Sequence, residues 1–212
     1  MVFQFPIFGV PVSVHWTTIF LFLLFFFDAF LYLKGNIKGK STFGYILTGI
    51  FCMAFIVLSI LGHEIGHAVV ANFFGFKMTS AGVTGLYAYV SNGLSMTTIA
   101  PYQEFLIALA GPAANFLLAI IGIPFIWLFG RSLFESALRY FSVMNIRLGR
   151  MNLWPIAVLD GGWILNSLIR ATIGTPPWTV YLTYAITGLF IFYLFTKKKE
   201  RKELESLIDK IP

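Results

Sequence analysis

Long unbroken apolar runs limit what this chain can fold into more than any other feature. A hydrocarbon core about 30 Å thick is crossed by about 20 predominantly apolar residues in a helix. The 212-residue sequence offers such runs over about Val14–Leu33, Tyr45–Phe76, Gln103–Phe129, Phe134–Leu168 and Trp178–Phe195. As a helix the second would be about 48 Å long, so it must tilt or project. The fourth is interrupted at "NLWPIAVLDGG", where Pro155 removes a backbone donor and the Gly161–Gly162 pair weakens the helix again. Only 11% of residues are charged, where an ordinary soluble domain has about a quarter. The expected fold is all-α: a polytopic membrane protein of about five to six transmembrane helices with a small interfacial β element. The β element is read from "FQFPIFGVPVSVHW", where Val10, Val12 and Val14 alternate, and from the Gly-, Ser- and Thr-rich interval Lys77–Pro101.

Charge and cysteine content exclude several functions. The net charge of +6 resides in loops and a basic C-terminal tail, which suits bilayer topology and anionic headgroups, so no nucleic-acid partner is expected. The first Lys or Arg is Lys34, so no cleavable signal peptide is expected. Cys52 is the single cysteine, which excludes an intrachain disulfide and a cysteine-based zinc site. The organisation is one membrane-embedded unit, residues 1–196, followed by a basic amphipathic tail, residues 197–212.

Against this apolar background "LGHEIGH" is conspicuous. An ionisable side chain at the centre of a bilayer costs roughly 2.5–3.5 kcal/mol on insertion scales, and such residues mark function. His63 and His67 stand four apart, so a helix places both on one face, one turn apart. Both imidazoles can then converge on one Zn²⁺. Glu64, rotated away from both, can act on a metal-activated water without being a ligand, the H-E-x-x-H arrangement. Gly62 and Gly66 allow a neighbouring helix to approach beside these residues. A bland reading, two satisfied core histidines, must explain three polar groups in one apolar helix of a chain with three histidines in all.

A catalytic zinc site needs a third protein ligand and an open position. His15 is remote in sequence, and the tail acids are excluded by position. Glu104 and Glu135 stand at span ends and read as interfacial, while Asp28 has nothing resembling a prepared site around it. Cys52 lies eleven residues before His63, about 16 Å along a helix. Asp160 remains, in a stretch of irregular chain that membrane depth tolerates only when buried or lining a wet cavity. It can cap the following helix and bind metal as well.

With these motifs placed, the sequence resembles the site-2 protease family of intramembrane zinc metalloproteases. "HEIGH" matches that family's H-E-x-x-H, "NLWPIAVLDGG" is similar to its N-x-x-P…L-D-G motif, and "LIALAGPAANF" to its G-x-x-x-N motif. The resemblance implies one Zn²⁺ per chain held by His63, His67 and Asp160, with Glu64 as catalytic acid and base. It implies supporting or substrate-orienting roles for Gly111, Asn115, Asn152 and Pro155. It further implies a single-pass membrane protein substrate, added as a strand along Gly82–Asn92, with Gly82, Gly85, Tyr87, Tyr89 and Asn92 on that edge. The expected location is a multi-pass position in a bilayer, the prokaryotic plasma (inner) membrane, and neither a PDZ insertion nor a CBS pair is expected.

The sequence departs from the family pattern at Trp163, where Arg is usual, and at Arg147 and Arg150, where apolar residues are usual. Positive-inside counting over five spans puts the N-terminus outside, whereas the resemblance implies a cytoplasmic N-terminus, and a sixth crossing reconciles part of this. Three other functions compete, of which a conventional zinc peptidase on the membrane surface would need a soluble domain to hold its cleft. A scaffold that keeps the fold without chemistry has no need of Glu64 beside the histidines, and a transporter would spread polar residues over several helices.

Overall fold

In hydrocarbon every backbone N–H and C=O must be satisfied within the chain, which a long helix does unaided. The structure, a computed structural model, describes residues 2–7, 10–77, 79–84, 88–91, 99–129, 132–174 and 176–208. Its elements are β1 (Val2–Ile7), β2 (Val10–His15), α1 (Thr18–Asn36), α2 (Thr42–Phe73), β3 (Ser80–Val83), β4 (Ala88–Ser91), α3 (Pro101–Leu128), α4 (Leu133–Asn152), α5 (Asp160–Ile173) and α6 (Thr179–Ile208). Among the described residues four helices are long and apolar enough to cross a membrane by length and composition: α1, α2, α3 and α6 over Thr179–Lys197. The fourth apolar run of the sequence divides into two amphipathic helices, α4 and α5. In α4 Ala137, Tyr140, Met144 and Asn145 are buried, while Arg139 and Arg150 face outward.

Local chemistry sets the helix ends. Ser41 and Ser132 cap α2 and α4 by accepting from the amides of Gly44 and Glu135. Pro101 opens α3, where its missing N–H is one the helix would leave unpaired anyway. Gly75 and Gly174 follow α2 and α5 at φ of 84° and 94°, a backbone region open to glycine at no steric cost.

The four strands form one sheet in the order β1-β2-β3-β4. The N-terminal extended stretch is an antiparallel hairpin, Val2 opposite His15 and Ile7 opposite Val10. Its second strand pairs in parallel with β3, Val12 opposite Ala81 and Val14 opposite Val83, after the chain has made α1 and α2. The Thr18 hydroxyl donates to the Val83 carbonyl at 3.2 Å and ties the start of α1 to the sheet. β3 and β4 are antiparallel with Gly82 opposite Tyr89, and among the described residues β4 is an outer strand.

One core cluster joins α1, α2 and α4 through Ala29, Leu33, Tyr45, Cys52, Ile56, Ala137, Tyr140 and Met144. Asp28 borders it and accepts from the Tyr140 hydroxyl at 2.8 Å, with the Arg147 guanidinium 4.0 Å away. α3 packs against α2, α4 and α5. Small residues form the α2–α3 seam, as the sequence suggests. A Cβ on Gly66 would lie 2.6 Å from the Ala110 carbonyl oxygen and 3.0 Å from the Ala114 Cβ, and one on Gly62 would lie 2.7 Å from Leu118 Cδ1.

Glu104 corrects the sequence reading. It is wholly buried in the protein, and its ion pair with Arg170 joins α3 to α5.

The α2–α3 contact generates a prediction. Gly66→Val has no room against the Ala110 backbone, so it should destabilise the protein by about 1–3 kcal/mol as an overpacked substitution. Thermal unfolding in mild detergent is the measurement, with the exposed-face substitution Ile65→Val expected to stay near wild type.

Candidate metal centre

α2 presents His63 and His67 on the face that meets α3, and α5 presents Asp160 from its first turn. His63 Nε2 lies 3.0 Å from Asp160 Oδ2, His67 Nε2 lies 3.3 Å from Asp160 Oδ1, and the two Nε2 atoms are 3.1 Å apart. All the candidate ligand atoms fall within 4.8 Å of one another. The sequence alone placed Asp160 almost a hundred residues from the histidines. The break between α4 and α5 returns the chain to them.

Gly161 and Gly162 permit that return. A Cβ on Gly161 would collide with the carbonyl oxygens of Trp154 and Leu153, and one on Gly162 with the Ile156 carbonyl oxygen. The first turn of α5 is therefore packed directly on the Leu153–Ala157 backbone. Thr187 of α6 fastens the same loop: its hydroxyl donates to the Pro155 carbonyl at 3.2 Å and accepts from the Ala157 amide at 2.9 Å.

Hydrogen bonding fixes where the imidazole protons are. His67 Nδ1 is 2.7 Å from the Ile107 carbonyl oxygen, which can only accept, so Nδ1 carries the proton. His63 Nδ1 is 2.6 Å from Asn115 Oδ1. The Asn115 amide cannot be turned round, because its nitrogen donates to the Ser59 carbonyl at 3.2 Å and to Asn145 Oδ1 at 2.9 Å. Asn145 is fixed in turn, its nitrogen donating to Ser59 Oγ at 2.8 Å and the Phe141 carbonyl at 2.9 Å. In the neutral tautomers so defined, both Nε2 atoms point lone pairs at each other and at a carboxylate. Asp160 Oδ2 is buried and has no hydrogen-bond partner. With both rings neutral three acceptors converge, an arrangement that a cation satisfies. The donor set, two imidazole nitrogens and one carboxylate, is that of a catalytic zinc site with one position open.

The other sequence candidates take definite places. Gly111 faces both rings: a Cβ there would strike His67 Nε2 and lie 2.7 Å from His63 Nε2. Asn115 is fully buried and holds His63. Pro155 lies in the α4–α5 loop. A cavity of about 760 Å³ opens onto the cluster, and Glu64, Asn152 and Tyr89 share its wall with His63, His67 and Asp160. Arg147 and Trp163 also line it. Gly82 is buried beneath the Tyr89 ring, 2.6 Å from where its Cβ would be. Gly85, Tyr87 and Asn92 lie outside the described residues.

Sequence reading missed Ser59 and Asn145. Ser59 had a signal, because positions 59, 63 and 67 form a single i, i+4 stripe. Asn145 had none of that kind, since its partners come from two other helices.

Comparison with known proteins agrees with the geometry. Residues 51–137 and 128–196 match peptidase family M50. Rip3 of Mycobacterium tuberculosis is 33% identical over 171 residues, 76% of this chain and 42% of that protein. A zinc metalloprotease of Methanocaldococcus jannaschii is 30% identical over 171 residues, 80% of this chain and 46% of that one. The solved site-2 protease from Methanocaldococcus jannaschii superimposes with a TM-score of 0.55 at 26% identity, covering 82% of this chain and 74% of that one. The chain thus spans less than half the length of these two curated relatives.

The fold is that of a site-2 protease. The chain belongs to peptidase family M50 and is an integral membrane protein. Zinc is the cofactor that this membership implies, and the donor set fits it.

Gly111 supplies the prediction here. Gly111→Ala places a methyl group where both imidazoles lie, so bound zinc should fall to well below half of the wild-type stoichiometry while the helical content is retained. Zinc analysis and circular dichroism of the purified variant are the measurements.

Proposed function

We propose that this chain is an intramembrane zinc endopeptidase that hydrolyses peptide bonds in or near transmembrane segments of single-pass, membrane-anchored proteins, as in regulated intramembrane proteolysis. The observation that carries the reading is the convergence of His63, His67 and Asp160 on one wall of a cavity that Glu64 also lines. In this reading His63, His67 and Asp160 would hold one Zn²⁺. The ion supplies Lewis acidity, which makes water a nucleophile near neutral pH and polarises the scissile carbonyl.

The remaining steps belong to the chain's own groups. Glu64 takes the proton from the attacking water on its carboxylate and delivers it to the leaving amine. Asn115 and Ile107 hold the imidazole Nδ1 protons, which keeps both Nε2 lone pairs directed into the site. Gly111 leaves the space in which the two rings lie. Asn152, at the end of α4 on the cavity wall, orients the substrate backbone, and Pro155 shapes the loop that delivers Asp160.

A substrate segment has to be extended to expose its peptide bonds, because in a helix each is enclosed by its neighbours. The outer strand β4 offers an edge for such a segment, with Tyr89 at the cavity wall and Gly82 beneath it. We extend that edge to Gly85, Tyr87 and Asn92 from the sequence. We assign residues 1–196 to the membrane-embedded unit and 197–212 to a basic tail at the membrane surface. The plasma membrane of a prokaryote is the proposed location, in keeping with the bacterial and archaeal sources of the relatives.

Substitution separates chemistry from metal binding. Glu64→Gln should retain zinc and lose cleavage by at least about 10²-fold, the lower end of what general acid–base catalysis contributes. His67→Ala and Asp160→Ala should lose both. The assay is cleavage of a membrane-anchored reporter in proteoliposomes together with zinc analysis; cleavage persisting in Glu64→Gln would sink the mechanism.

A further inference from the structure

A buried polar contact outside the metal centre joins the far ends of α3 and α5. Arg170 donates to Glu104 Oε2 at 2.6 Å and to the Ile99 carbonyl at 2.6 Å, and Asn166 donates to Glu104 Oε1 at 2.8 Å. The side chains of Arg170 and Glu104 are 2% and 0% exposed. On the other side Asn166 Oδ1 accepts from the Thr183 hydroxyl of α6 at 3.4 Å. Two full charges so far from water are worth less to stability than their short distances suggest. Desolvation offsets most of the attraction, and well-packed apolar replacements are often neutral or stabilising. A reason other than stability has to account for the pair.

Its position supplies one. α3 and α5 run antiparallel, with Glu104 beside Arg170 at one level and Gly111 beside the histidines and Asp160 at the other. Asp160 and Arg170 are ten residues apart on α5, about 15 Å of helix. On α3, Glu104 stands one turn from Ile107, whose carbonyl holds His67. α3 therefore registers both partners: α2 through Ile107, Gly111 and Asn115, and α5 through Glu104. A displacement of about 1 Å in a positioned group is enough to impair a catalytic constellation. The Arg170 fork, the Asn166 amide and the Glu104 carboxylate together fix α5 along its own axis, which a layer of apolar contacts does less sharply.

We propose that Glu104, Asn166 and Arg170 form a buried clamp that sets the axial position of α5 and so holds the Asp160 carboxylate at the metal centre. They are positioning residues and touch neither metal nor substrate. The proposal rests on the reading of Asp160 as a metal ligand.

The test compares full-length wild type, Asp160→Ala, the double variant Glu104→Met/Arg170→Met and Asn166→Ala, all in mild detergent. Zn²⁺ affinity is measured by competition with a chelator, the Co²⁺-substituted proteins are followed by visible absorption, and thermal unfolding reports the fold. The double variant removes both charges at once, so it leaves no unpaired ion behind. The expected result is near-wild-type unfolding, Zn²⁺ affinity lowered about 10–100-fold, the range for groups that orient metal ligands, and an altered Co²⁺ ligand-field band. Asn166→Ala keeps the ion pair and should give a smaller loss in the same direction, and it carries the test if the double variant does not fold. A folded variant with wild-type Zn²⁺ affinity and an unchanged Co²⁺ spectrum overturns the clamp. Wild-type affinity in Asp160→Ala overturns the ligand assignment itself, and the clamp with it.

Discussion

With both rings neutral, two imidazole nitrogens and a carboxylate turn lone pairs toward one another in this protein, inside a bundle of apolar helices. That repulsion is the constraint to which the rest of the structure answers. Without a cation the three groups would have to separate or take up a proton. The arrangement holds because the opposite edge of each ring is committed. The Ile107 carbonyl and the Asn115 amide claim the Nδ1 protons, and the amide is itself held by Ser59 and Asn145. Each member of this network has its partners, which is the condition under which buried polar groups rigidify a core instead of weakening it.

α3 contributes none of the three donors, yet it organises them. Its Gly111 gives space to both rings, its Ile107 and Asn115 orient them, and Glu104 grips the helix that brings Asp160. Pro112 belongs to the same design. It removes an amide from the turn beside the histidines and frees the Ala108 carbonyl from its helical partner. Seen this way the G-P-A-A-N stretch is a surface shaped to receive α2, and the two helices that carry the candidate ligands are arranged around it.

Much of this was legible in the sequence, for a physical reason. His63, Glu64 and His67 are expensive in hydrocarbon, so their presence in an apolar run has few explanations, and helical periodicity alone puts the histidines together. Asp160 could be found by eliminating the other acids. Five apolar runs and the extended N-terminal stretch followed from run length and alternation, although composition could not show that the fourth run is two amphipathic helices. What stayed hidden depended on contacts between distant segments. Glu104 reads as a span-end carboxylate until Arg170, sixty-six residues later, is placed beside it. Asn145 and Tyr140 likewise acquire meaning only when α4 meets α2, α3 and α1. The pairing of β2 with β3 across two helices gave no local signal, since strand register between remote segments is set by tertiary packing.

X-ray absorption at the zinc edge of the metal-loaded protein tests the central claim most directly. The account predicts a shell of nitrogen and oxygen scatterers at about 2.0–2.1 Å, with the multiple-scattering signature of two imidazoles and no sulfur. Replacing Asp160 by Ala should strip the metal, so that no protein-bound zinc spectrum remains. A sulfur shell, a third imidazole, or an Asp160→Ala spectrum identical to wild type would contradict it.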